Sequence, residues 1–541
     1  MLREFYDDFP LYETVRDMIL DGAKRGGDKR QFIWEGKKGT QFEKTFNEVY
    51  EDECKIGAYM RSLGIVKGMK VAILSENCYM WNAIYYAIAV NGSVVVPMDA
   101  RLTGEEIAGE FLDCECDAVF YSKDNEEKIN TVKSTAGMTI KWYFPIDEMD
   151  EILEKGAAAD KKYLDEYLDT TVTPDDLVCI VYTSGTTGKT KGVMLSNRNI
   201  ASDVTASLHA ITGKNGIGFL PLNHTYAWVT GLFASLIRSE WGYICTNIRH
   251  VYNDIKKYKP YQFAAVPMVV EMIYHNIIAT AKRNGSYDEL MSGIEMSRNF
   301  MLSGYDARRE IFHEIHESLG GNLNYILCGG AHLNPEIEEF MHDIGIQIIT
   351  GYGLTECSPC ITCSRRYNYR LGSVGLVLDC NEVKINDPDD EGVGEIYVKG
   401  QNVMLGYYND EQATKSVFDG EWFKTGDLGY IDREGYLFFK GRIKNLIILS
   451  NGKNVSPEEI EDKLYELEYV KEVLVYDSNE KIYAEFYLDR DKFPDCETQL
   501  EADIEKINKS LAEFKRIQKI LIRDTEFPKT TTLKIIRKYN K

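Results

Sequence analysis

Residues 41–120 alternate between two patterns of hydrophobic positions. In NEVYEDECKIGAYMRSLGI the apolar residues recur every three or four positions, which predicts an amphipathic helix. KVAILS and SVVVPMD are short apolar runs, as in buried strands. Residues 81–98 combine both patterns and predict a helix that turns into a strand. Helices that alternate with apolar strands predict βαβ units and a parallel sheet.

The strand pattern returns later in the chain, and one helical segment interrupts it. Further strands are predicted at residues 177–182, 264–267, 325–328 and 347–350. Between about residues 281 and 321 the sequence is helical and mixed in charge, which predicts an insertion on the α/β core. The apolar residues before this insertion could line a tunnel or form ordinary core, and the sequence favours neither; they are Met268, Val269, Val270, Met272 and Ile273.

From Gly392 the pattern changes to short strands and tight turns. Residues 428–442 predict a hairpin whose turn lies at residues 432–435. The helix PEEIEDKLYEL, the strands KEVLVY and KIYAEFYLD and a charged helix ending near Phe514 then predict a separate α+β unit. We expect a domain boundary near Lys444.

Composition narrows the possible classes of function. With 541 residues and 44% hydrophobic residues, we expect a globular chain of two to four folding units. The net charge of −22 disfavours nucleic acid and anionic lipid as main partners. No run approaches the length of a transmembrane span, and the first residues lack an apolar signal core, so we expect a cytoplasmic protein. Twelve scattered cysteines suit reduced thiols.

Two short patterns resemble metal-ligand spacings. Cys357, Cys360 and Cys363 have the spacing of an iron–sulfur run, but the fourth cysteine before a proline is missing, so we interpret them as packing residues. His313 and His316 are one helical turn apart but do not form HExxH, and we expect them on a solvated helix face.

The segment YTSGTTGKTKG, at residues 182–192, is the main candidate for phosphate binding. Only two residues separate the glycines of GTTGKT, and a strand-like VMLS follows instead of a helix, so this is not a Walker A loop. Its hydroxyl, glycine and lysine residues can still close over a polyphosphate. The candidate nucleotide ligands are Thr183, Ser184, Gly185, Thr186, Thr187, Gly188, Lys189 and Lys191.

Four later motifs accompany this loop: GYGLTE from Gly351, TGD from Thr425, GRIK from Gly441 and FPKTTTLK from Phe527. Together, in this order and at these separations, the five motifs resemble the adenylate-forming superfamily, which includes acyl-CoA synthetases. The resemblance covers nearly the whole chain. It implies an α/β fold with a large N-terminal domain of two α/β subdomains plus a distorted β-barrel, joined by a hinge to a small mobile α+β C-terminal domain.

The resemblance also implies a two-step reaction and its participants. ATP activates a carboxylic acid as an acyl-adenylate with release of pyrophosphate, and coenzyme A then takes the acyl group. Lys534 matches the lysine that bridges carboxylate and α-phosphate. Glu356 matches the magnesium-binding acid, and Thr355 a hydroxyl donor to the α-phosphate. Tyr352, with Gly353 beside it, matches the aromatic that stacks on adenine, and Gly329, Gly330 and Ala331 resemble the wall beside that ring.

The remaining matches concern the ribose and the hinge. Asp427 resembles the carboxylate that accepts both ribose hydroxyls, and Arg442 a residue that reaches ribose and phosphate. Lys444 aligns with the hinge, and Gly452 would let coenzyme A pass close to the backbone. The implied division is a large domain at residues 1–441, a hinge at 442–446 and a small domain at 447–541.

The chain departs from the family pattern at four positions. Thr190 replaces a proline, which should make the first loop more mobile, and Leu533 replaces a glycine before the central lysine. Asn197 replaces a histidine, and Asn445 stands where an acidic residue is common.

FLPLNHTYAW, at residues 219–228, resembles the stretch that lines the carboxylate pocket. His224 matches a position beside the acyl carbonyl, and Trp228 matches a gate on the acyl tunnel of long-chain members. No aspartate is present there to pair with an ammonium, so an amino acid substrate is disfavoured. The resemblance therefore implies a medium- to long-chain fatty acid–CoA ligase. Alternatives are a ligase that loads a carrier protein, an aryl or other carboxylate–CoA ligase, and a non-catalytic nucleotide-binding relative; oligomeric state stays open.

Overall fold

The structure is a computed structural model, and it describes most of the chain. The described residues are 10–36, 39–184, 190–211, 213–246, 250–331, 333–366, 368–449, 454–478, 481–529 and 535–537. They form two compact units, Met1–Glu382 with Val398–Glu421 and Val383–Tyr397 with Trp422–Lys541.

Helices and strands alternate through most of the first unit. The strands of both units are numbered together in chain order. The strands are β1 (Arg30–Glu35), β2 (Gln41–Thr45), β3 (Lys70–Leu74), β4 (Val94–Pro97), β5 (Ala118–Tyr121), β6 (Trp142–Pro145), β7 (Leu177–Ser184), β8 (Thr190–Ser196), β9 (Gly216–Gly218), β10 (Gly242–Ile244), β11 (Gln262–Ala265), β12 (Tyr325–Cys328), β13 (Gln347–Gly353), β14 (Cys360–Cys363), β15 (Leu376–Val377), β16 (Asn381–Asn386), β17 (Gly394–Gly400), β18 (Gly406–Tyr407), β19 (Phe418–Asp419), β20 (Trp422–Ile431), β21 (Leu437–Arg442), β22 (Ile447–Ile448), β23 (Asn454–Val455), β24 (Val470–Ser478), β25 (Lys481–Leu488) and β26 (Lys519–Arg523).

The helices are α1 (Val15–Gly26), α2 (Phe46–Ser62), α3 (Tyr79–Val90), α4 (Gly104–Asp113), α5 (Glu126–Ser134), α6 (Met149–Ala158), α7 (Lys161–Leu168), α8 (Asn197–Ala210), α9 (Thr225–Ala227), α10 (Ala234–Arg238), α11 (Val251–Tyr258), α12 (Pro267–Asn284), α13 (Tyr287–Leu302), α14 (Arg308–Ile311), α15 (His313–Ser318), α16 (Pro335–Asp343), α17 (Glu411–Ser416), α18 (Pro457–Tyr465) and α19 (Cys496–Ser510). A π-helical segment, Trp228–Phe233, joins α9 to α10.

Two mainly parallel sheets form the frame of the first unit. One has the order β18-β8-β7-β4-β3-β5-β6, and β3 to β6 run parallel because helices α3, α4 and α5 connect them. Apart from Lys70 at the start of β3, their residues are apolar or aromatic, as expected for strands that are covered on both faces. The predicted βαβ region and the helix that turns into a strand, α3 and β4, are confirmed.

The second sheet has the order β15-β14-β13-β12-β11-β9-β10-β1-β2. Strands β9 to β13 run parallel, so their carboxyl ends meet at one edge. The helical segment predicted at residues 281–321 is confirmed: helices α12 to α15 form the crossover between the adjacent strands β11 and β12.

His316 corrects one expectation. His313 is exposed, but His316 is buried, and its Nε2 lies 2.8 Å from the Ile344 carbonyl oxygen. Burial lowers the pKa of the His316 imidazole. The predicted solvated face is therefore wrong for His316, because α15 packs one side against the segment before β13.

The second unit combines one sheet of hairpins with a small α/β sandwich. In one sheet of this unit β16 pairs with β17, β17 with β20 and β20 with β21, and β20 and β21 form the predicted hairpin. Strands β24, β25 and β26 form the other sheet, against which α18 and α19 bury their apolar faces. The mixed α/β fold with a large and a small unit is as predicted, and the barrel stays a prediction.

No helix in the described ranges combines the length and the apolar composition that crossing a membrane requires.

Candidate active site

The threonine-rich hairpin is formed by β7 and β8. These strands pair antiparallel, with Thr183 opposite Lys191 and Ser184 opposite Thr190. A strand follows the loop, as expected from the sequence. Five of the predicted phosphate ligands, Gly185, Thr186, Thr187, Gly188 and Lys189, lie outside the described residues.

A buried carboxyl group supports the base of this hairpin. The side chain of Glu110, in α4, forms a hydrogen bond with Thr190, and burial raises the pKa of Glu110 to about 8. The Tyr182 hydroxyl donates to Asp113 Oδ2 at 2.8 Å and to the Glu110 carbonyl at 3.1 Å. Helix α4 therefore holds Thr190, the residue that stands in place of the family's proline, by a side-chain contact.

Tyr407 contacts both Glu356 and Lys191. The Tyr407 hydroxyl donates to Glu356 Oε1 at 2.9 Å, and Lys191 Nζ lies 4.6 Å from the centre of the Tyr407 ring. Tyr407 is brought here because β18 pairs with β8, which places Tyr407 opposite Val193. Burial and the nearby Glu356 carboxylate raise the pKa of Tyr407, so its phenol stays a proton donor.

Helix α8 contacts two segments that lie next to Glu356, one with Cys360 and one with Asn402. Asp203 is buried, and its Oδ1 accepts from the Asn402 side-chain amide at 3.0 Å and from the Cys360 N–H at 2.9 Å. Burial raises the pKa of Asp203 to about 8. The Met404 N–H in turn donates to the Glu356 carbonyl at 2.8 Å. One buried carboxyl group thus ties together the two segments that flank the candidate metal ligand.

Glu356 lies in a tight turn directly after β13. Residues Thr355–Cys357 form a 3₁₀ turn, and a Cβ on Gly353 would overlap the Pro359 carbonyl oxygen. Tyr352 lies opposite Thr362 in the neighbouring strand. Because Gly353 has no side chain, the backbone of Pro359 can pack against it and the chain can fold back. Tyr352, Thr355 and Glu356 are thereby held within one short turn.

Gly329 forms a close-packed wall at the carboxyl end of β12. A Cβ on Gly329 would lie 3.4 Å from the Gly351 carbonyl oxygen and 3.4 Å from Cζ of Tyr226. The Tyr226 hydroxyl donates to the Leu327 carbonyl at 3.0 Å. Gly330 and Ala331 follow as exposed residues. The segment therefore joins β13 to the stretch that contains His224.

His224 and Trp228 lie at the two ends of α9. His224 is half-buried before the helix, and Trp228 is fully buried after it. The indole N–H of Trp228 donates to the Leu222 carbonyl at 2.8 Å, and its ring lies 5.5 Å from that of Tyr85. Trp228 is not among the residues that line the neighbouring cavity, so its role as a gate stays a prediction.

An apolar cavity extends between the π-helical segment and strands β9 to β11. Phe219, Leu220, Leu222, Leu232 and Phe263 contribute to its lining. Two glycines leave it open, because a Cβ on Gly231 or Gly242 would meet no atom within 4 Å. The cavity volume is about 80 Å³.

The five residues before the predicted insertion do not line this cavity. Val269, Val270 and Ile273 are buried in the core under the second sheet. Met268 and Met272 are exposed on the opposite side of α12. Three of the five residues are therefore ordinary core, because the helix turns one face to the core and the other to solvent, and the tunnel stays a prediction.

Asp427 and Arg442 face each other across the hairpin of the second unit. Arg442 Nε lies 3.2 Å from Asp427 Oδ1, and their Cα atoms are paired in β20 and β21. The Asp427 side chain is only 2% exposed, whereas that of Arg442 is 41% exposed. The pair can therefore offer a ligand a buried carboxylate and a partly exposed guanidinium.

Lys444 lies in a 3₁₀ turn, Ile443–Asn445, that ends the hairpin. The neighbouring Asn445 donates through its side-chain amide to Glu458 Oε1 at 2.6 Å. A Cβ on Gly441 would lie 2.5 Å from Ser456 Oγ. The turn is thus held against the start of α18 by polar contacts. Gly452 lies outside the described residues.

The predicted catalytic lysine, Lys534, also lies outside the described residues, as does Leu533. The residues on either side are anchored to the second unit. Lys529 pairs with Glu472, and Arg537 pairs with the buried Glu461. These ion pairs hold the chain before residue 530 and after residue 534, so Lys529 and Arg537 do not form a loose basic tail.

Asn197 has a structural role. Its Oδ1 accepts from the Val15 N–H at 3.0 Å, and its Nδ2 donates to the Asp176 carbonyl at 3.1 Å. The asparagine therefore joins α1 to the segment before β7.

The profile of one family, described as AMP-binding enzyme, matches residues 20–408, and that of the AMP-binding enzyme C-terminal domain matches residues 444–540. The chain belongs to the AMP-binding enzymes. The resemblance inferred from the five motifs is confirmed, and with it the use of ATP by this family.

Several curated relatives match most of the length of this AMP-binding enzyme. The long-chain-fatty-acid–CoA ligase FadD15 of Mycobacterium tuberculosis is 27% identical over 527 residues, which cover 88% of this chain and 87% of the relative. Fatty acyl-CoA synthetase B of Dictyostelium discoideum is 28% identical, with 89% and 77% covered. The long-chain-fatty-acid–[acyl-carrier-protein] ligase AEE15 of Arabidopsis thaliana is 27% identical, with 86% and 74% covered.

Solved structures share the fold. A Mycobacterium tuberculosis fatty acyl CoA synthetase matches with a TM-score of 0.69 and 24% identity, over 97% of both chains. The o-succinylbenzoate coenzyme A synthetase of Bacillus subtilis, in complex with ATP and magnesium ion, matches with a TM-score of 0.74 and 23% identity, over 96% of this chain and 98% of the other.

The contacts of Tyr407, Asp203 and Glu110 in this AMP-binding enzyme are not evident from its sequence. Tyr407 belongs to the short apolar segment MLGYY, which carries no charge that would suggest a site. Asp203 and Glu110 lie in helices whose polar residues resemble a solvated face. The sequence feature that could have pointed to Tyr407 is its place in a strand-forming segment between the motifs GYGLTE and TGD.

Proposed function

We propose that this chain is an ATP-dependent fatty acid–CoA ligase. It activates a medium- to long-chain carboxylic acid as an acyl-adenylate, releases pyrophosphate and transfers the acyl group to coenzyme A. The observation that carries the proposal is the apolar cavity beside the stretch that contains His224. We further propose a cytoplasmic location, since scattered cysteines suit a reducing compartment.

The lining of the cavity supports an apolar acid. No aspartate or glutamate is among its lining residues in the described part of the chain, so a substrate ammonium would be buried without a counter-ion. The lining therefore favours an apolar acid, such as a fatty acid, over an amino acid.

Lys534 is the proposed catalytic cation of the first step. One oxygen of the substrate carboxylate attacks the α-phosphorus, the bond to the β-phosphate oxygen breaks, and pyrophosphate leaves. Both reactants are anionic, so an ammonium between them stabilises the charge that develops in the transition state. The ion pairs of Lys529 and Arg537 support this role because they hold the chain on both sides of the lysine.

Glu356 fits the role of a magnesium ligand. Its Oε1 accepts from Tyr407, and the cluster contains one carboxylate beside one lysine. Among the described residues no three metal-ligating side chains come together, and a magnesium ion that binds substrate phosphates needs only one or two carboxylates. When bound, magnesium would neutralise phosphate charge; Tyr407 orients the carboxylate that holds it.

The remaining residues bind and orient the nucleotide. We assign Tyr352, with Gly353 beside it, and the wall of Gly329, Gly330 and Ala331 to the adenine. Asp427 and Arg442 serve the ribose, and their ion pair holds the carboxylate in place. Thr355, beside Glu356, donates to the α-phosphate, and the hairpin residues Thr183, Ser184 and Lys191 begin the loop that closes over the polyphosphate.

The second step requires the hinge. We propose that residues 442–446, with Lys444 at their centre, allow the small domain to change pose, and that Gly452 then lines the coenzyme A channel. The thiolate sulfur attacks the acyl carbonyl, the bond to the phosphate oxygen breaks, and AMP leaves. His224 lies in the stretch beside the cavity and serves as the neighbour of that carbonyl.

Pyrophosphate release from a panel of carboxylic acids tests the proposal. We expect fatty acids to drive release and to give acyl-CoA, while amino acids and benzoate give little. Release driven by aryl acids would contradict the proposal. If no acid drives release, the proposal also fails, and a non-catalytic relative is favoured.

A carrier protein is the second candidate for the acyl acceptor. The similarity to AEE15, named as an acyl-carrier-protein ligase, favours testing it. Thioester formation with free coenzyme A should exceed that with phosphopantetheinylated carrier protein, because the net charge of −22 repels an acidic partner. The opposite ratio would assign the carrier protein as acceptor.

A further inference from the structure

The four residues that follow strand β9 form part of the wall of the apolar cavity. These residues, 219–222, read FLPL, and we call them the FLPL segment. Its members that line the cavity are Phe219, Leu220 and Leu222. The backbone bond from the Cys245 N–H to the Gly218 carbonyl, at 2.9 Å, lies before the segment, and Pro221 has no N–H to offer a neighbouring strand. Side chains can therefore decide where this wall lies.

The side chain of Asn77 holds the FLPL segment at two points. Its Nδ2 donates to the Leu220 carbonyl at 2.8 Å, and its Oδ1 accepts from the Leu222 N–H at 3.0 Å. A carboxamide has a donor and an acceptor in one group, so it can take the place of a neighbouring strand. Asn77 lies shortly after β3 and lines the cavity itself. The segment is thereby tied to the sheet that contains β3.

A second side chain holds Leu222 through its carbonyl. The indole N–H of Trp228 donates to the Leu222 carbonyl at 2.8 Å. Trp228 is fully buried, and its ring lies against that of Tyr85 in α3, with 5.5 Å between the ring centres. The backbone N–H and the backbone carbonyl of Leu222 are therefore both bonded to side chains, the first to Asn77 and the second to Trp228. We call these two side chains the Leu222 clamp.

The FLPL segment leads directly to His224. The His224 N–H donates to the Pro221 carbonyl at 3.1 Å, and the Ala227 N–H donates to the His224 carbonyl at 3.1 Å. A shift of the segment would therefore move the apolar lining of the cavity and also the residue proposed to lie beside the acyl carbonyl. Binding sites depend on supporting contacts that hold each group within about 0.5 Å of its working position. The Leu222 clamp supplies such contacts.

We propose that Asn77 and Trp228 are positioning residues that determine which acids the cavity accepts. This inference rests on the proposed function, because it takes the cavity to be the acyl site. One methylene group more or less in an apolar pocket changes kcat/KM by about 10-fold or more, so a wall that moves by a similar distance changes the preferred acid. A contact with a purely structural role would lower stability and leave the preference for acids as it is.

Two variants release the clamp. Asn77→Leu removes both hydrogen bonds at a similar side-chain volume, and Trp228→Phe removes the indole N–H and keeps an aromatic ring. Pyrophosphate release is measured with a homologous series of saturated fatty acids. In each variant the ratio of kcat/KM between acids of different length should change by at least about 10-fold from wild type, while KM for ATP stays the same. Unchanged ratios in both variants would overturn the inference and leave the fatty acid ligase intact.

Asn508→Leu is the matched control. Asn508 is half-buried, as Asn77 is, and makes the same two contacts with a backbone: its Nδ2 donates to the Ile517 carbonyl at 2.9 Å, and its Oδ1 accepts from the Ile517 N–H at 2.8 Å. It lies in α19 of the second unit and does not line the cavity. The control should lower Tm and keep the ratios of wild type. If its ratios change as those of Asn77→Leu do, the change follows from lost stability, and the inference is overturned.

The double variant tests whether both side chains act through Leu222. Because either substitution alone frees this residue, Asn77→Leu combined with Trp228→Phe should change the ratios little more than the larger of the two single changes. Two effects that multiply would overturn the shared action on Leu222.

Binding without ATP separates this inference from the proposed function. The acids of the series should raise Tm of the wild-type chain by amounts that depend on their length, and this dependence should change in Asn77→Leu but not in Asn508→Leu. If no acid drives pyrophosphate release, the proposed function fails, and the Tm shifts still decide the role of the clamp. The same dependence on length in wild type and in Asn77→Leu would overturn it.

Discussion

At the scale of single residues, the site depends on which side chains carry charge. Glu356 is half-buried, and Tyr407, whose pKa is raised by burial and by that carboxylate, stays neutral and donates to it. A neutral donor orients the carboxylate without neutralising it, whereas a lysine in direct contact would compete with a metal ion. The ring of Tyr407 instead lies between Glu356 and Lys191.

Tyr407→Phe should weaken magnesium binding. Without its hydroxyl the Glu356 carboxylate loses the contact that orients it, and loss of such a partner typically lowers metal affinity about 10-fold or more. The measurement is a magnesium titration of ATP binding, followed by calorimetry, alongside pyrophosphate release. Tyr408→Phe is the matched control, because Tyr408 contacts Lys70 and not Glu356. Equal shifts in the two variants would contradict the role of Tyr407.

Lys534→Ala should separate the two half-reactions. Loss of a principal charge stabiliser should slow adenylation about 100-fold or more, while thioester formation from pre-made acyl-adenylate continues. Lys519→Ala removes an exposed lysine of the same unit and should change neither step. If both steps fall equally in Lys534→Ala, the lysine has a structural role.

At the scale of elements, helices hold the site through buried carboxyl groups. Asp203 in α8 joins Asn402 to Cys360, and Glu110 in α4 contacts Thr190. Burial raises the pKa of each to about 8, so both carboxyl groups keep their protons near neutral pH. A proton retained on folding links the stability of these contacts to pH.

Asp203→Asn should make the protein less sensitive to alkaline pH. The unfolded carboxyl group ionises near its ordinary pKa of about 4, whereas the folded group ionises near 8. Stability is therefore fully present at low pH and is lost as pH rises between these two values, by about 1.4 kcal/mol per unit. Urea unfolding near pH 6 and pH 9 should show a smaller loss in the variant. An equal loss in both proteins would show that Asp203 does not titrate in this window.

Gly231→Leu should shorten the preferred acid. A Cβ on Gly231 would meet no atom within 4 Å, and Gly231 lines the cavity, so we expect the fold to tolerate a leucine there. We expect kcat/KM to shift toward shorter acids by at least about 10-fold, with ATP binding unchanged. Gly109→Leu, in α4, also meets no atom within 4 Å but lies away from the cavity, and should leave chain-length preference unaltered. An unchanged profile in Gly231→Leu would remove the cavity from the acyl site.

At the scale of the whole molecule, the sequence predicted more of the fold than of the site. Strands such as β3 and helices such as α2 follow from hydrophobic periodicity, which depends only on local spacing. Burial of His316 and the contact of Tyr407 with Glu356 depend on which distant elements meet. The motifs named candidate ligands because each carries unusual residues, whereas Tyr407 lies in the segment MLGYY, which carries none.

Lys444→Pro should impair thioester formation more than adenylation. A proline fixes its own φ, and the proposed change of pose requires dihedral changes at the hinge. Single-turnover pyrophosphate release should remain near wild type, while acyl-CoA formation falls about 10-fold or more. Lys444→Ala removes the charge and keeps the backbone free, so it should retain both steps. Loss of both activities in Lys444→Ala would assign Lys444 to binding.

The π-helical segment Trp228–Phe233 has a consequence for how the chain could be re-engineered. Such a turn holds one residue more than an ordinary α-helical turn, as after the insertion of a single amino acid. Deleting one residue, such as Val229, would restore regular α-helical winding, and the later side chains of the helix would keep their faces because the wider turn already absorbs the extra residue. One codon therefore separates a cavity lined by a widened turn from a cavity lined by a regular helix.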